Sequence, residues 1–140
     1  MVEGVHFDSS WNAHDVGAKL AAVNASDLAA SGAIPQWGLL VLSLPNPLDR
    51  AWVERFSDGL LVALDEMSAH LVGGDTTRSP DSIHASLSMG GRIVGNGLTR
   101  SGGSAGEEVW VTGTLGDAAA AFAHKDAPPG IHAALLRPTP

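Results

Sequence analysis

The chain has 140 residues and no cysteine, with 44% hydrophobic and 16% charged residues. The length suits one compact domain, and the composition excludes a disordered chain, a membrane-spanning helix, disulfides and thiolate metal sites. The net charge of −7 disfavours nucleic acid as a partner, so we expect a phosphate ligand to need a cation.

The first half of the chain predicts strand, helix, strand and helix. Val2 to Phe7 alternates like a short strand, and Asp15 suits the N-cap of a helix that stops at the glycine after LAAS. The apolar run QWGLLVLSLP, residues 36–45, predicts a buried strand. Asn46, followed by Pro47 at the first helical position, is expected to cap a second helix. Its core row is Trp52, Phe56, Leu60, Leu64 and Met67.

The second half predicts three further strands and a helix. HLV at 70–72 reads as a strand leading into GGDTT, and residues 82–97 alternate like a hairpin or one long bent strand. EVWVTG at 108–113 predicts another strand, and GDAAAAFAH at 116–124 a short helix. The fold class is therefore α+β, with helices on one face of a largely antiparallel sheet. The other face carries His84, Ser86 and Ser88, and is expected to be semi-polar or covered by a partner.

Asp27 is the first candidate for a ligand-binding residue. An ideal helix places it within roughly 60° of three apolar residues, so its carboxylate would need a cation or hydrogen bonds to offset desolvation. These apolar residues are Val16, Leu20 and Val23. Alternatively, the helix breaks at Asn24, and Ser26 or Asp27 caps a second piece. The pattern leaves both interpretations open.

Asp75 is the second candidate. A strand that ends on Gly73 and Gly74 can turn sharply and approach a ligand closely, which would leave Asp75 pointing outward at the strand end. The oxygens of Asp75, Thr76 and Thr77 are donors that magnesium prefers. The alternative is an ordinary turn in which the threonine hydroxyls satisfy the backbone.

Other motifs are less specific. Arg78 and Arg100 could bind phosphate oxygens or lie solvated at the surface. The glycines of GGRIVGNG do not form a P-loop, because the lysine is missing and no helix follows. In TGTLGD, the helix start could hold an anion, or Thr114 and Asp117 could form a capping box.

Histidine occurs six times without a zinc-binding spacing. His6, on a strand with Glu3 and beside Phe7, could hold a substrate or be structural. No serine lies in a nucleophile elbow, and no residue is a convincing general base. We therefore name no catalytic residue.

Six segments in order along nearly the whole chain resemble the amino-terminal domain of the thiamine-monophosphate kinase family, within the aminoimidazole-ribonucleotide-synthetase-like superfamily. They are VEGVHF at 2–7, KLAAVNASDLAASGAIPQW at 19–37, LSLP at 42–45, GGDTTRSP at 73–80, LTRSGG at 98–103 and VTGTLGDAAAAF at 111–122.

The resemblance implies ATP-dependent phosphorylation of thiamine monophosphate to thiamine diphosphate with magnesium. It implies that Asp27 and Asp75 bind magnesium and that His6 contacts the substrate. Gly74, Asp75 and Arg100 match nucleotide contacts. It also implies a ferredoxin-like two-layer sandwich whose open sheet face pairs with that of a second copy to close a barrel, so a homodimer is expected.

Both ends of the sequence predict a fragment: residues 1–136 would be an amino-terminal ATP and magnesium-binding domain truncated at its start, and 137–140 the start of a linker. Family segments with further magnesium ligands lie upstream of VEGVHF, so this polypeptide alone is expected to have little kinase activity. The alternatives are a non-catalytic dimerisation or metal-nucleotide-binding domain, and another ATP-using enzyme of the superfamily. Without a signal-peptide pattern, a cytoplasmic setting with no membrane partner is expected.

Overall fold

The computed structural model describes residues 1–47, 49–124 and 126–140. In these residues four helices and three strands follow each other in an α+β order. They are α1 (Ala13–Ala30), β1 (Ala33–Leu44), α2 (Arg50–Glu66), β2 (His70–Arg78), β3 (His84–Ile93), α3 (Asp117–Ala123) and α4 (Pro129–Leu136). No helix in this part of the chain is long and apolar enough to span a membrane.

The sheet is mixed, and the expectation of a largely antiparallel sheet is wrong. The strand order is β2-β1-β3, in which β1 pairs with β2 in parallel and with β3 antiparallel. The parallel pair arises because α2 carries the chain back between β1 and β2, as a crossover connection requires. Both α1 and α2 pack on the sheet and on each other, so the predicted covering of one face is confirmed.

Helix α1 begins one turn earlier than its predicted cap. Asn12 is the N-cap, and its side-chain oxygen accepts a hydrogen bond from His14 N at 3.1 Å. Asp15 lies inside the first turn instead, where a carboxylate is favourable next to the helix dipole. The helix does not break at Asn24, whose side chain donates to Leu20 O at 2.8 Å.

Helix α2 begins later than predicted. Its N-cap is Asp49, which accepts from Ala51 N at 2.9 Å, whereas Asn46 and Pro47 lie in the preceding loop and are joined by a cis peptide bond. The predicted core row is confirmed: Phe56, Leu60 and Leu64 are at most 1% exposed. The row is continued by Trp52, which stacks on Phe56, and by Met67.

A pair of glycines brings α1 and α2 into close contact. A Cβ on Gly17 would lie 2.1 Å from Phe56 O, and a Cβ on Gly59 would lie 1.9 Å from His14 O. Both distances are shorter than a side-chain atom can tolerate, so each helix uses a glycine to accommodate the backbone of the other.

Strand β1 is apolar on both faces, but only one face is covered. Leu42 is buried under the helices, with Leu40 and Leu44 partly buried in the same core. Trp37, Leu39 and Val41 are 42%, 42% and 45% exposed. The prediction of a buried strand was therefore wrong for half of its side chains, because a continuous apolar run does not reveal how many layers pack on a sheet.

Strand β3 confirms the predicted alternation. Ile83, just before the strand, together with Ala85 and Leu87, is buried, while His84, Ser86 and Ser88 are exposed. Ser86 pairs with Val41 and Ser88 with Leu39, so these serines lie on the uncovered side of the sheet. We call this side, formed by Trp37, Leu39, Val41, Ser86 and Ser88, the open sheet face. The strand is single, and the hairpin alternative does not form.

Strand β2 continues through its two glycines instead of turning there. Gly73 and Gly74 pair with Leu39 and Leu40, and the irregularity in register lies opposite the Gly38–Leu39 step. A Cβ on Gly74 would lie 1.8 Å from Leu40 O. Glycine is therefore needed at residue 74 for close approach to β1 and not for a turn.

The predicted first strand exists only at its beginning. Glu3 N donates to Ile83 O at 2.9 Å, the Met1 backbone exchanges hydrogen bonds with Ala85, and Val2 forms a bridge to His84. The chain then turns at Gly4, whose φ is 78°, and Phe7 enters the core. Residues 2–7 are therefore a short pairing followed by a tight turn.

The region after β3 differs most from prediction. The structure assigns no strand to 108–113 in the part it describes, and Val109 and Trp110 are 93% and 86% exposed. Helix α3 has Gly116 as its N-cap and no side-chain cap hydrogen bond, so the capping box of Thr114 and Asp117 does not form. Helix α4 was not predicted.

Candidate functional site

Asp27 lies in the last turn of α1 and is exposed to solvent. The apolar stripe on which it was predicted to lie is buried at Val16 and Leu20 but is 37% exposed at Val23. The carboxylate therefore carries no desolvation penalty that would demand a cation. It is accessible to a ligand, and it does not act as a helix N-cap.

Asp75 lies inside β2 and not at a strand end, opposite Val41. Its Oδ1 accepts a hydrogen bond from Thr76 N at 2.9 Å, and both residues are exposed. Thr77 follows on the same strand. The side-chain oxygens of Asp75, Thr76 and Thr77 are hard donors accessible from solvent, and magnesium prefers such ligands.

The two carboxylates lie on different elements, Asp27 on α1 and Asp75 on β2. Asp27 lies next to the end of β1 that begins at Ala33, because only Ser31 and Gly32 separate α1 from that strand. Asp75 pairs with Val41. Within the described ranges, no three His, Asp or Glu side chains group as a metal site.

His6 lies in the turn that follows the first pairing, and it is exposed. Its Nδ1 accepts a hydrogen bond from Val2 N at 3.1 Å. In the neutral imidazole this places the proton on Nε2, which then is a hydrogen-bond donor. The turn therefore presents a donor suited to an oxygen atom of a ligand.

The two arginines are exposed and distant along the chain. Arg78 ends β2 opposite Leu44, next to the segment that carries Asp75. Arg100 lies in the loop after β3, where Thr99 and Ser101 hydrogen-bond to each other. No ion pair is formed by either arginine with the carboxylates that the structure describes.

A cavity that sequence reasoning missed lies between residues 4–12 and the helices α3 and α4. Its volume is about 610 Å³, and we call it the N-terminal cavity. Its lining is Gly4, Val5, Phe7, Asp8, Ser10, Trp11, Asn12, Ala121, Phe122, His132, Leu135 and Leu136. The aromatic residues at 7, 11 and 122 were its only signal in the sequence.

Two contacts support the walls of the N-terminal cavity. The Lys19 ammonium lies 5.0 Å from the centroid of the Trp11 ring, and partial burial lowers the pKa of this lysine. Arg137, just after α4, donates to Asp15 Oδ1 from Nε at 2.8 Å and from its second guanidinium nitrogen at 2.6 Å. This ion pair ties the end of α4 to the start of α1.

Comparison with known proteins gives consistent matches. Residues 1–95 match the family described as AIR synthase related protein, N-terminal domain. The thiamine-monophosphate kinase of Escherichia coli K12 is 47% identical over 124 residues, which are 88% of this chain and 37% of that enzyme. The chain thus spans little more than a third of that relative.

Solved structures of thiamine monophosphate kinases also match this chain. A thiamine monophosphate kinase from Stenotrophomonas maltophilia K279a matches with a TM-score of 0.85 and 42% identity, over 98% of this chain and 47% of that one. The Aquifex aeolicus enzyme, in a complex with AMPPCP and TMP, matches with a TM-score of 0.89 and 34% identity. The match covers 99% of this chain and 47% of that one.

Proposed function

The chain belongs to the AIR synthase related protein family, whose N-terminal domain it contains, and on this premise we propose that it is the nucleotide and magnesium-binding part of a kinase. The reaction is transfer of a phosphoryl group from ATP to thiamine monophosphate, which gives thiamine diphosphate. The observation that carries the proposal is the match to a thiamine monophosphate kinase crystallised with AMPPCP and TMP.

Phosphoryl transfer to a phosphate is mainly a problem of charge. A phosphate oxygen is already ionised near neutral pH, so the protein has to position two anions and neutralise them, and needs no general base. Magnesium supplies this neutralisation when bound. With a net charge of −7 the chain cannot attract two phosphorylated molecules through its own field.

In this proposal the exposed residues bind different parts of the reactants. Asp75, with Thr76 and Thr77 beside it, supplies hard oxygen ligands for magnesium at β2, and the backbone of Gly74, the preceding residue, contacts the nucleotide. Arg100, in its glycine-bordered loop, contacts a nucleotide phosphate. His6 donates from Nε2 to an oxygen of thiamine monophosphate. Asp27 supplies the second magnesium-binding carboxylate.

A second copy of the chain is the expected partner of the open sheet face. Two open sheet faces packed together would close the ferredoxin-like sandwich into a barrel. The exposed apolar side chains of Trp37, Leu39 and Val41 favour such packing.

Substituting either carboxylate tests the proposed metal and nucleotide sites. Asp27→Asn and Asp75→Asn should each weaken magnesium-dependent binding of AMPPCP by about tenfold or more, because an amide is a poorer magnesium ligand than a carboxylate. Isothermal titration with and without magnesium measures this. Asp65→Asn, an exposed carboxylate near the end of α2, is the matched control and should bind like the wild type. Equal affinity in all four proteins would contradict the assignment.

The dimer has its own test. Val41→Asp should shift the sedimentation of the chain from dimer to monomer, because it puts a charge in the middle of the apolar contact. Val41 is 45% exposed in a single copy, so folding should be little affected. Leu61→Asp, at a 48% exposed apolar position on α2, is the control and should remain dimeric. A wild-type chain that is monomeric at every concentration would refute the proposed dimer.

A further inference from the structure

The outer edge of β2 has no neighbouring strand in the part of the chain that the structure describes. The order β2-β1-β3 places β2 at one end of the sheet, whereas a bridge between Val2 and His84 partly covers the other end. Strand β2 has nine residues and contains neither proline nor lysine, which commonly protect such edges. Thr76 N donates to the Asp75 side chain at 2.9 Å, a local bond that a carbonyl of an added strand can replace. This edge is therefore a template for another extended segment.

Residues 108–111 have the character of a strand without a neighbour. Val109, Trp110 and Val111 are 93%, 86% and 57% exposed, and such residues favour strands. Trp110 Nε1 donates a hydrogen bond to Glu108 Oε2 at 3.0 Å. Side chains two residues apart share one side of an extended chain, so this contact is typical of a strand. Nevertheless, the structure assigns no strand to these residues.

Charge determines the direction in which this segment suits the edge of β2. Arg78, at the end of β2, forms no ion pair with the carboxylates that the structure describes. In an antiparallel arrangement Glu108 lies opposite Arg78, and its second oxygen can accept from the guanidinium while Oε2 keeps its bond to Trp110. A parallel arrangement would place Glu108 at the His70 end, near Asp65 of α2. The antiparallel direction is therefore favoured.

This ion pair also sets the register. Opposite residues of antiparallel strands lie on one side of the sheet, so Val109 would lie opposite Thr77 and Trp110 opposite Thr76. Gly74 lies two residues from Thr76, on the same side of β2, and has no side chain to exclude the indole ring. An aromatic side chain next to an edge glycine is a stabilising cross-strand pair.

The segment 108–111 of the same chain is directed away from its own β2. Strand β3, which precedes it, lies at the opposite end of the sheet. Ile93 at the end of β3 pairs with Ala33 at the start of β1, whereas Arg78 pairs with Leu44 at the end of β1. The chain thus leaves the sheet at the corner diagonal to Arg78, which favours a segment supplied by another molecule.

We propose that residues 108–111 of one copy of the chain add to the edge of β2 in a second copy, as an antiparallel fourth strand. The contact joins two different surfaces, so two copies can exchange segments or a third copy can extend the row. It uses the edge of the sheet and not the open sheet face. A pairing of four residues is small and short-lived, so crosslinking detects it better than sedimentation does.

The absence of cysteine from the chain makes introduced cysteines specific reporters of this pairing. Val109→Cys and Thr77→Cys proteins, mixed and oxidised, should form a disulfide between copies, because opposite side chains lie within reach of one. Mass spectrometry of the joined peptides identifies it. Val72→Cys, 62% exposed on the same strand, is the matched control and marks the parallel arrangement. Its yield with Val109→Cys should be about tenfold lower, since five residues along a strand span roughly 17 Å.

Charge reversal tests the ion pair that sets the register. Arg78→Glu in the Thr77→Cys protein should lower the yield of the mixed disulfide about threefold to fivefold, because like charges then lie opposite each other. Glu108→Arg in the Val109→Cys protein should restore the yield. Circular dichroism checks that each variant is folded. A yield unaffected by either reversal overturns the assigned register.

Three further results would overturn the proposal. They are the absence of a mixed disulfide at every protein concentration, equal yields from Thr77→Cys and Val72→Cys, and a Thr77→Cys protein that crosslinks mainly to itself. Val41→Asp in both proteins should leave the yield unchanged, which separates this contact from the dimer proposed above. Loss of the disulfide in that background would mean that it reports only the packing of two open sheet faces.

Discussion

Gly59→Ala is expected to destabilise the fold by about 3 kcal/mol, at the upper end of what overpacking costs. The new Cβ would lie 1.9 Å from His14 O and 2.7 Å from His14 C, which are backbone atoms of α1 and cannot rotate away. Relief requires α1 and α2 to separate, and both helices bury their apolar residues in one core. Urea unfolding followed by circular dichroism measures the loss as a lower midpoint.

Gly130→Ala is the matched control, since Gly130 lies within α4 and a Cβ there meets nothing within 4 Å. This variant should be neutral or slightly stabilising, because alanine favours a helix more than glycine does. A midpoint for Gly59→Ala equal to that of Gly130→Ala would show that the helices do not pack as closely as described.

Gly74→Ala is expected to move β2 and with it the proposed magnesium ligand. Its Cβ would lie 1.8 Å from Leu40 O, and its φ of 153° already disfavours a side chain. The strand has to lift from β1, at a cost of about 2–3 kcal/mol. Hydrogen exchange should become faster across residues 70–78, and AMPPCP should lose its magnesium-dependent affinity because Asp75 is the next residue.

The neighbouring glycine provides the control. A Cβ on Gly73 would be 3.4 Å from the end of the Leu39 side chain, which is ordinary van der Waals contact. Gly73→Ala should therefore keep both the hydrogen exchange and the nucleotide affinity of the wild type. If the two variants behave alike, the close approach at Gly74 does not determine the position of Asp75.

The helices and the sheet alternation were predictable because their signals are local. The spacing of Phe56, Leu60 and Leu64 marks a buried helical face, and alternation from Ile83 to Met89 marks a half-covered strand. The first residues of the helices were not predictable. Asp15 and Asn46 are chemically as suitable for an N-cap as Asn12 and Asp49, which cap the helices in the structure. Which one caps depends on where the preceding chain leaves the core.

Strand prediction failed where pairing decides the outcome. The sequence EVWVTG has strand propensity, yet residues 108–113 are not paired in the part of the chain that the structure describes. A strand needs a neighbour for its backbone hydrogen bonds, and propensity alone does not supply one. The opposite error occurred at Gly73 and Gly74, where the glycines suggested a turn but the strand continues, and Gly74 serves close contact with β1.

The candidate site was predictable only as a set of residue types. Carboxylates, an arginine in a loop and a histidine were all expected, although His6 was expected on a strand and lies in a turn, and Asp27 and Asp75 are both accessible. The position of Asp75 on the sheet depends on the register between β1 and β2, which no spacing in the sequence contains. The N-terminal cavity was missed for a similar reason, because it joins residues 4–12 to residues 121–136 through tertiary packing.

The uncovered leucine and valine of the central strand also affect how the stability of this protein must be measured. If two copies meet there, unfolding is coupled to dissociation, and mass action makes the melting temperature rise with protein concentration. A dilute sample would then melt earlier than a concentrated one although no atom differs between them. Heat-denaturation results for variants are comparable only at one fixed concentration.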